Sequence, residues 1–155
     1  ISIAFLSFSF DARSEVALKV ASFDTDSSAI RCIIDISIED GWHIYYKEAG
    51  EVGLSTVITF SDNMINPQTH WPQPMDHVDV VLDQKFSSNV YEKHVLFPIT
   101  SVIDTKQSPE IKIDVEYAVC NEVCIPKTES LVYSVPSESF RDEEVIITFE
   151  DWLKK

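Results

Sequence analysis

The chain has 155 residues, enough for one domain with a full hydrophobic core. Its 26 acidic and 12 basic residues give a formal net charge of −14. That balance argues against nucleic acid and anionic membrane surfaces as partners, and fits either a solvated acidic surface or steering of a basic protein.

Residues 1–12 open with the uncharged apolar run Ile1 to Phe10. Ten residues cannot span a bilayer. The run reads as the remnant of a secretory signal, which implies an exported protein, or as an N-terminal strand with Ile1, Ile3 and Phe5 alternating. No later stretch approaches a transmembrane helix.

Residues 13–138 read as β-structure. Val16, Leu18 and Val20 mark a first strand ending near Phe23, and Asp24 to Ser28 form a turn. Ile30, Cys32, Ile34, Ile36 and Ile38 place every even position on one apolar face, so Cys32 is expected in the core as a lone buried thiol. Only Ile33 breaks the pattern. All three glycines fall between Gly41 and Gly53, around the aromatic segment Gly41-Trp-His-Ile-Tyr-Tyr46, which predicts irregular backbone.

Thr56 to Phe60 reads as a strand, and Asp62 to Met75, with Pro67, Pro72 and Pro74, as loop. Val78, Val80 and Leu82 alternate with Asp79, Val81 and Asp83. Lys85 to Asn89 reads as a short polar turn bearing Phe86, Tyr91 to Ile99 as a strand, and Asp104 to Pro109 as a linker.

Ile111, Ile113, Val115, Tyr117 and Val119 then alternate with Lys112, Asp114, Glu116 and Ala118, and Leu131, Tyr133 and Val135 alternate with Ser130, Val132 and Ser134. Between these strands lie Cys120 and Cys124. Four extended residues span roughly 13 Å, whereas a disulfide needs Cα atoms within about 7 Å, so if the two bond the chain reverses over Asn121 to Val123. Such a bridge is a weak staple. Its small loop removes about 2 kcal/mol of unfolded-state entropy, against roughly 4.6 for a ninety-residue loop. That favours redox exchange over a structural role, although small structural loops of this spacing remain the alternative.

Residues 139–155 predict a C-terminal amphipathic helix: Asp142, Glu143 and Glu144 lead, Val145, Phe149, Trp152 and Leu153 form a face, and two lysines close. Seven or eight strands and one short terminal helix make an all-β, immunoglobulin-like antiparallel sandwich. Cys32, Trp42 and Cys120 stand in the order of the immunoglobulin bridge, but Cys120 has outward parity on its strand, which argues against that pairing. The four histidines are scattered, and none is near the cysteines in sequence, so no metal site or cofactor is expected.

Asp40-Gly-Trp-His-Ile-Tyr45, Gly50-x-x-Gly53, Trp71-Pro72, Tyr91 to Pro98 and Tyr117-x-x-Cys-x-x-x-Cys-x-Pro126 occur in one order over roughly residues 20 to 136. In these features the chain resembles the N-terminal periplasmic domains of the thiol:disulfide interchange protein DsbD and its copper-sensitivity-suppressor relatives. The resemblance implies a periplasmic carrier of reducing equivalents. Electrons would come from a thioredoxin-like donor, itself fed by a membrane domain in another part or partner, and pass to periplasmic acceptors through Cys120 and Cys124. The spacing matches the shorter-spaced branch of that family.

The same resemblance places Trp42, Tyr45 and Tyr117 as a wall near the pair and Phe86 as a candidate cap. The alternative is a non-catalytic exported binding module, copper-related, with an inert bridge. Glu116 and Glu122 flank Cys120 and Lys127 follows Cys124, so charge points to Cys124 as the sulfur a partner attacks.

Overall fold

The computed structural model describes residues 13–155, so the expectation for residues 1–12 lies outside the described residues. Eleven strands and one helix follow in order: β1 Ser14–Asp24, β2 Ala29–Ile38, β3 His43–Gly50, β4 Val57–Phe60, β5 Met64–Thr69, β6 Met75–Val81, β7 Gln84–Glu92, β8 His94–Ile103, β9 Glu110–Cys120, β10 Cys124–Ser134, β11 Phe140–Arg141 and α1 Glu143–Leu153. They form an immunoglobulin-like sandwich of two antiparallel sheets. One has the order β11-β1-β2-β8-β5; the other runs β10-β9-β3-β7-β6, with β4 also paired to β9.

The alternation read in the sequence becomes the inter-sheet core. Ile34, Ile36, Phe97 and Ile99 meet Ile44, Ile111, Ile113, Val115 and Val119, all fully buried. Each such side chain contributes about 1.5–3 kcal/mol on burial. Cys32 lies among them and is unbonded.

Ile33, the exception in β2, has a separate cause. Its face of the sheet is covered by α1, where Ala21, Ile33 and Leu96 pack with Ile146 and Phe149. The Asp142 carboxylate accepts from the Val145 amide and caps that helix, with Glu143 and Glu144 in its first turn. The packed face carries Ile146 rather than Leu153, which is 44% exposed. Before the helix, residues expected to lead straight into it form β11 and pair with β1.

Two local expectations are corrected and one is met in part. The segment after Gly41 is a strand, β3, but its pairing with β7 shifts register between Tyr45 and Gly50, so the expected irregularity lies within a strand. It is central and covered on both faces at its start, so it shows no alternation to read. Pro67 sits in β5, not in a loop. That strand is at a sheet edge, and its pairing is interrupted between Ile65 and Gln68, where proline's missing donor costs little. The turn placed at Lys85 to Asn89 is instead at Leu82 and Asp83, both with positive φ, so Phe86 belongs to β7.

Candidate functional site

Cys120 ends β9 and Cys124 begins β10, directly opposite each other in register. They are disulfide-bonded with Cα atoms 4.1 Å apart. Asn121 makes the reversal possible. Its amide donates to the Val123 carbonyl (2.9 Å), and its side-chain oxygen accepts from the Val123 amide (3.0 Å).

The two sulfurs differ in what covers them. Beyond β9 the sheet continues into β3, so Cys120 is wholly buried; β10 is the edge strand, so Cys124 is exposed. Pro126, also exposed, fits that edge. One cysteine of the bridge is thus exposed and the other is closed.

Strand parity puts Cys120 on the outer face of the six-stranded sheet. There it packs with Tyr45, Ala49, Val90 and Ala118, away from the inter-sheet core. Tyr45 is the one wall residue expected from the sequence that joins this cluster. Trp42 and Tyr117 point the other way: both belong to the inter-sheet core, with the Arg13 guanidinium 4.8 Å over the Trp42 ring and the Tyr117 hydroxyl 2.8 Å from Ser14 Oγ. Phe86 is opposite Asp79 on β7, four residues and roughly 13 Å of strand from Val90, the β7 member of the cluster.

The side chain nearest in pairing to Cys120 is one the sequence did not mark. His43, on β3, is the direct register partner of Cys120 and is only 5% exposed. Its Nε2 is 3.1 Å from the Tyr45 hydroxyl. Its ring packs 4.6 Å from that of His77, whose Nε2 is 3.0 Å from Asp79 Oδ1. Burial, followed by the neighbouring His77, lowers the His43 pKa below 6.5, while Asp79 and Glu92 oppose the shift. Burial, with Asp79, raises that of Tyr45. His43 is far from the cysteines in the chain, and only the β3–β9 pairing joins them; the available signal was its place in the Gly41 to Tyr46 motif.

A loop holds Tyr45 in place. Thr56 Oγ1 donates to the Tyr45 carbonyl (2.6 Å), and the Ala49 amide donates to Ser55 Oγ (3.1 Å). Gly53 lies against the Tyr45 ring at φ +110°, and a Cβ there would sit 2.2 Å from a ring carbon. This explains a glycine at that position.

Lys127 does not serve Cys124 as its position in sequence suggested. It is opposite Tyr117, on the inward face of β10, whereas Cys124 has outward parity. Exposure distinguishes the two cysteines. Among the described residues no three His, Cys, Asp or Glu side chains converge to hold a metal ion, and no helix is long and apolar enough to cross a membrane. Surface depressions of about 560 and 600 Å³ lie along β1 and β11, lined by Leu18, Val20, Phe140 and Arg141 among others, and not at the disulfide.

The family model described as thiol:disulfide interchange protein DsbD, N-terminal, matches residues 13–136. No curated protein matches the chain. Among solved structures, the N-terminal periplasmic domain of ScsB from Proteus mirabilis aligns at a TM-score of 0.76 and 20% identity, over 97% of this chain. The chain spans 57% of that ScsB structure. At this identity the likeness is one of fold. The reduced DsbD N-terminal domain of Neisseria meningitidis aligns at a TM-score of 0.44 and 15% identity, over 79% of this chain and 88% of its own. A complex of that organism's DsbD and PilB N-terminal domains gives 0.44 and 14%, over 82% and 89%.

Proposed function

This chain belongs to the family of N-terminal domains of the thiol:disulfide interchange protein DsbD, and from that premise we propose that it relays reducing equivalents between periplasmic proteins through Cys120 and Cys124. The observation that carries this reading is the asymmetry of the bridge, with Cys124 exposed on an edge strand and Cys120 buried behind it.

The donor is a thioredoxin-like dithiol protein. Its thiolate attacks Cys124 Sγ, the Cys120–Cys124 bond breaks, and Cys120 leaves with the electron pair and takes up a proton. The donor's second thiol then attacks the mixed disulfide. The donor ends as a disulfide and this domain as a dithiol. Run against an acceptor's disulfide, the same steps deliver the electrons onward, with Cys124 attacking and Cys120 resolving. In this reading the chain acts as a protein-disulfide reductase component with no cofactor, and it meets a membrane only through a partner or another domain.

Two features support an exchangeable bridge. Its loop is so short that closing it constrains the unfolded chain by only about 2 kcal/mol, less than half of what a bridge across the whole domain would give. Attack also needs no opening of the sandwich, because the receiving sulfur is already at the surface. The test is a redox titration of the isolated domain against a thioredoxin-like donor at micromolar concentration. Complete reversible reduction with folded structure retained is expected. A bridge that resists the donor would overturn the reading in favour of a non-catalytic binding module.

A further inference from the structure

Resting on that reading, we propose that His43 is the proton acceptor for the Cys120 thiol when Cys120 resolves a mixed disulfide held on Cys124. The resolving sulfur is wholly buried. A thiol without water around it resists ionisation, and only the thiolate attacks. Cys32 shows the size of this effect in the same molecule, where burial alone pushes the thiol up to about 12. Reduced Cys120 therefore needs a base, and solvent does not reach it.

His43 occupies the required position. Directly opposed residues on antiparallel strands hold their Cβ atoms about 4.5–5.5 Å apart, within reach of an imidazole and a thiol. The groups facing His43 are Tyr45 on its own strand, His77 and Asp79 on β6, Glu92 on β7 and the cysteine pair on β9 and β10. Burial and His77 outweigh the two carboxylates, so the ring is neutral near neutral pH and able to accept a proton. The proposal requires the tautomer in which Nε2–H donates to the Tyr45 hydroxyl, leaving Nδ1 as the base.

The step balances. The Cys120 proton passes to His43 as Cys120 Sγ attacks Cys124 Sγ. The Cys120–Cys124 bond forms, the bond to the partner breaks, and the partner's sulfur keeps the electron pair. His43 then gives up its proton to the departing thiolate or to water, past His77 and the His77–Asp79 pair, which are only partly buried. The reverse reaction uses the same path.

The experiment follows the reduced domain with 5,5′-dithiobis(2-nitrobenzoate) in a stopped-flow spectrometer. Attack by Cys124 releases the first thionitrobenzoate, and resolution by Cys120 releases the second in a first-order step independent of Cys124 ionisation. His43→Asn should leave the first release within about twofold and slow the second about a hundredfold near neutral pH. The gap should narrow as pH rises, because hydroxide increasingly takes over the removal of the Cys120 proton. In the wild type the second release should fall with an inflection below 6.5, and His77→Asn should move that inflection upward.

An unchanged second release in His43→Asn, or equal slowing at every pH, would overturn the proposal. If His43→Asn does not fold, the wild-type profile decides, because no inflection below 6.5 means no such base. Failure of the carrier reading itself looks different: the first release would be absent, or would persist in Cys124→Ser.

Discussion

Cys32 and Cys120 are equally buried, at 0% exposure each, yet their surroundings differ in kind. Cys32 lies between the sheets, with Val20 and Ile99 as register partners, and its thiol is pushed up to about 12 by burial alone. Cys120 lies on the outside of its sheet, opposite an imidazole and bonded to a sulfur at the edge. On the proposed carrier reading, burial alone does not make a thiol inert: what matters is whether the buried sulfur has a route to an exposed one and a group that can take its proton.

The contrast is broken or sharpened most strongly by deleting sulfurs. Cys124→Ser should abolish exchange with a thioredoxin-like donor, whereas Cys32→Ala should leave the transfer rate within about twofold, since a thiol buried this way is essentially never ionised. Stopped-flow fluorescence on both variants checks this. A large redox loss in Cys32→Ala would mean the two regions are coupled.

The next effect concerns the loop that holds Tyr45 against Cys120. Gly53→Ala places a methyl group in the Tyr45 ring at a φ of +110°. It should destabilise the domain by about 1–3 kcal/mol and make Cys120, once reduced, more reactive towards a bulky alkylating agent. Urea unfolding and alkylation rates report the two separately. Unchanged alkylation would show that Tyr45 is not the cover.

The smallest effect is on stability against pH. The folded pKa of His43 is lowered below 6.5, so the unfolded chain binds the proton first as pH falls. Stability is then fully present above 6.5 and is lost as pH falls through 6.5 towards the folded value. His43→Asn should flatten that part of the curve, measured as urea midpoints between neutral and mildly acidic pH. Parallel curves for the two proteins would contradict the burial argument.

The parts of the molecule legible in the sequence are those with one covered face. β2, β9 and β10 announced themselves by period-2 alternation, and parity on β9 turned Cys120 away from Cys32, as the structure shows. What was not legible depends on a second cover or on partners distant in the chain. Ile33 looked like an error of pattern until α1 covered it. β3 shows no alternation because both its faces are buried at its start. The Leu82-Asp83 turn lacks the glycine or asparagine that usually marks a two-residue hairpin, so the sequence does not show Phe86 to be a strand residue. His43 beside Cys120 is a product of sheet pairing, which local periodicity does not encode. Lys127 is legible by parity, because its odd position on β10 gives it the face of Tyr117 and not that of Cys124.

The central claim is that the exposed sulfur receives the partner and the buried one resolves. The measurement that tests it most directly is a trapping experiment with each single variant and a thioredoxin-like donor lacking its own resolving thiol. Cys120→Ser should accumulate the mixed disulfide at Cys124, and Cys124→Ser should accumulate none. Cross-linking through Cys120 in the Cys124→Ser protein would contradict the account.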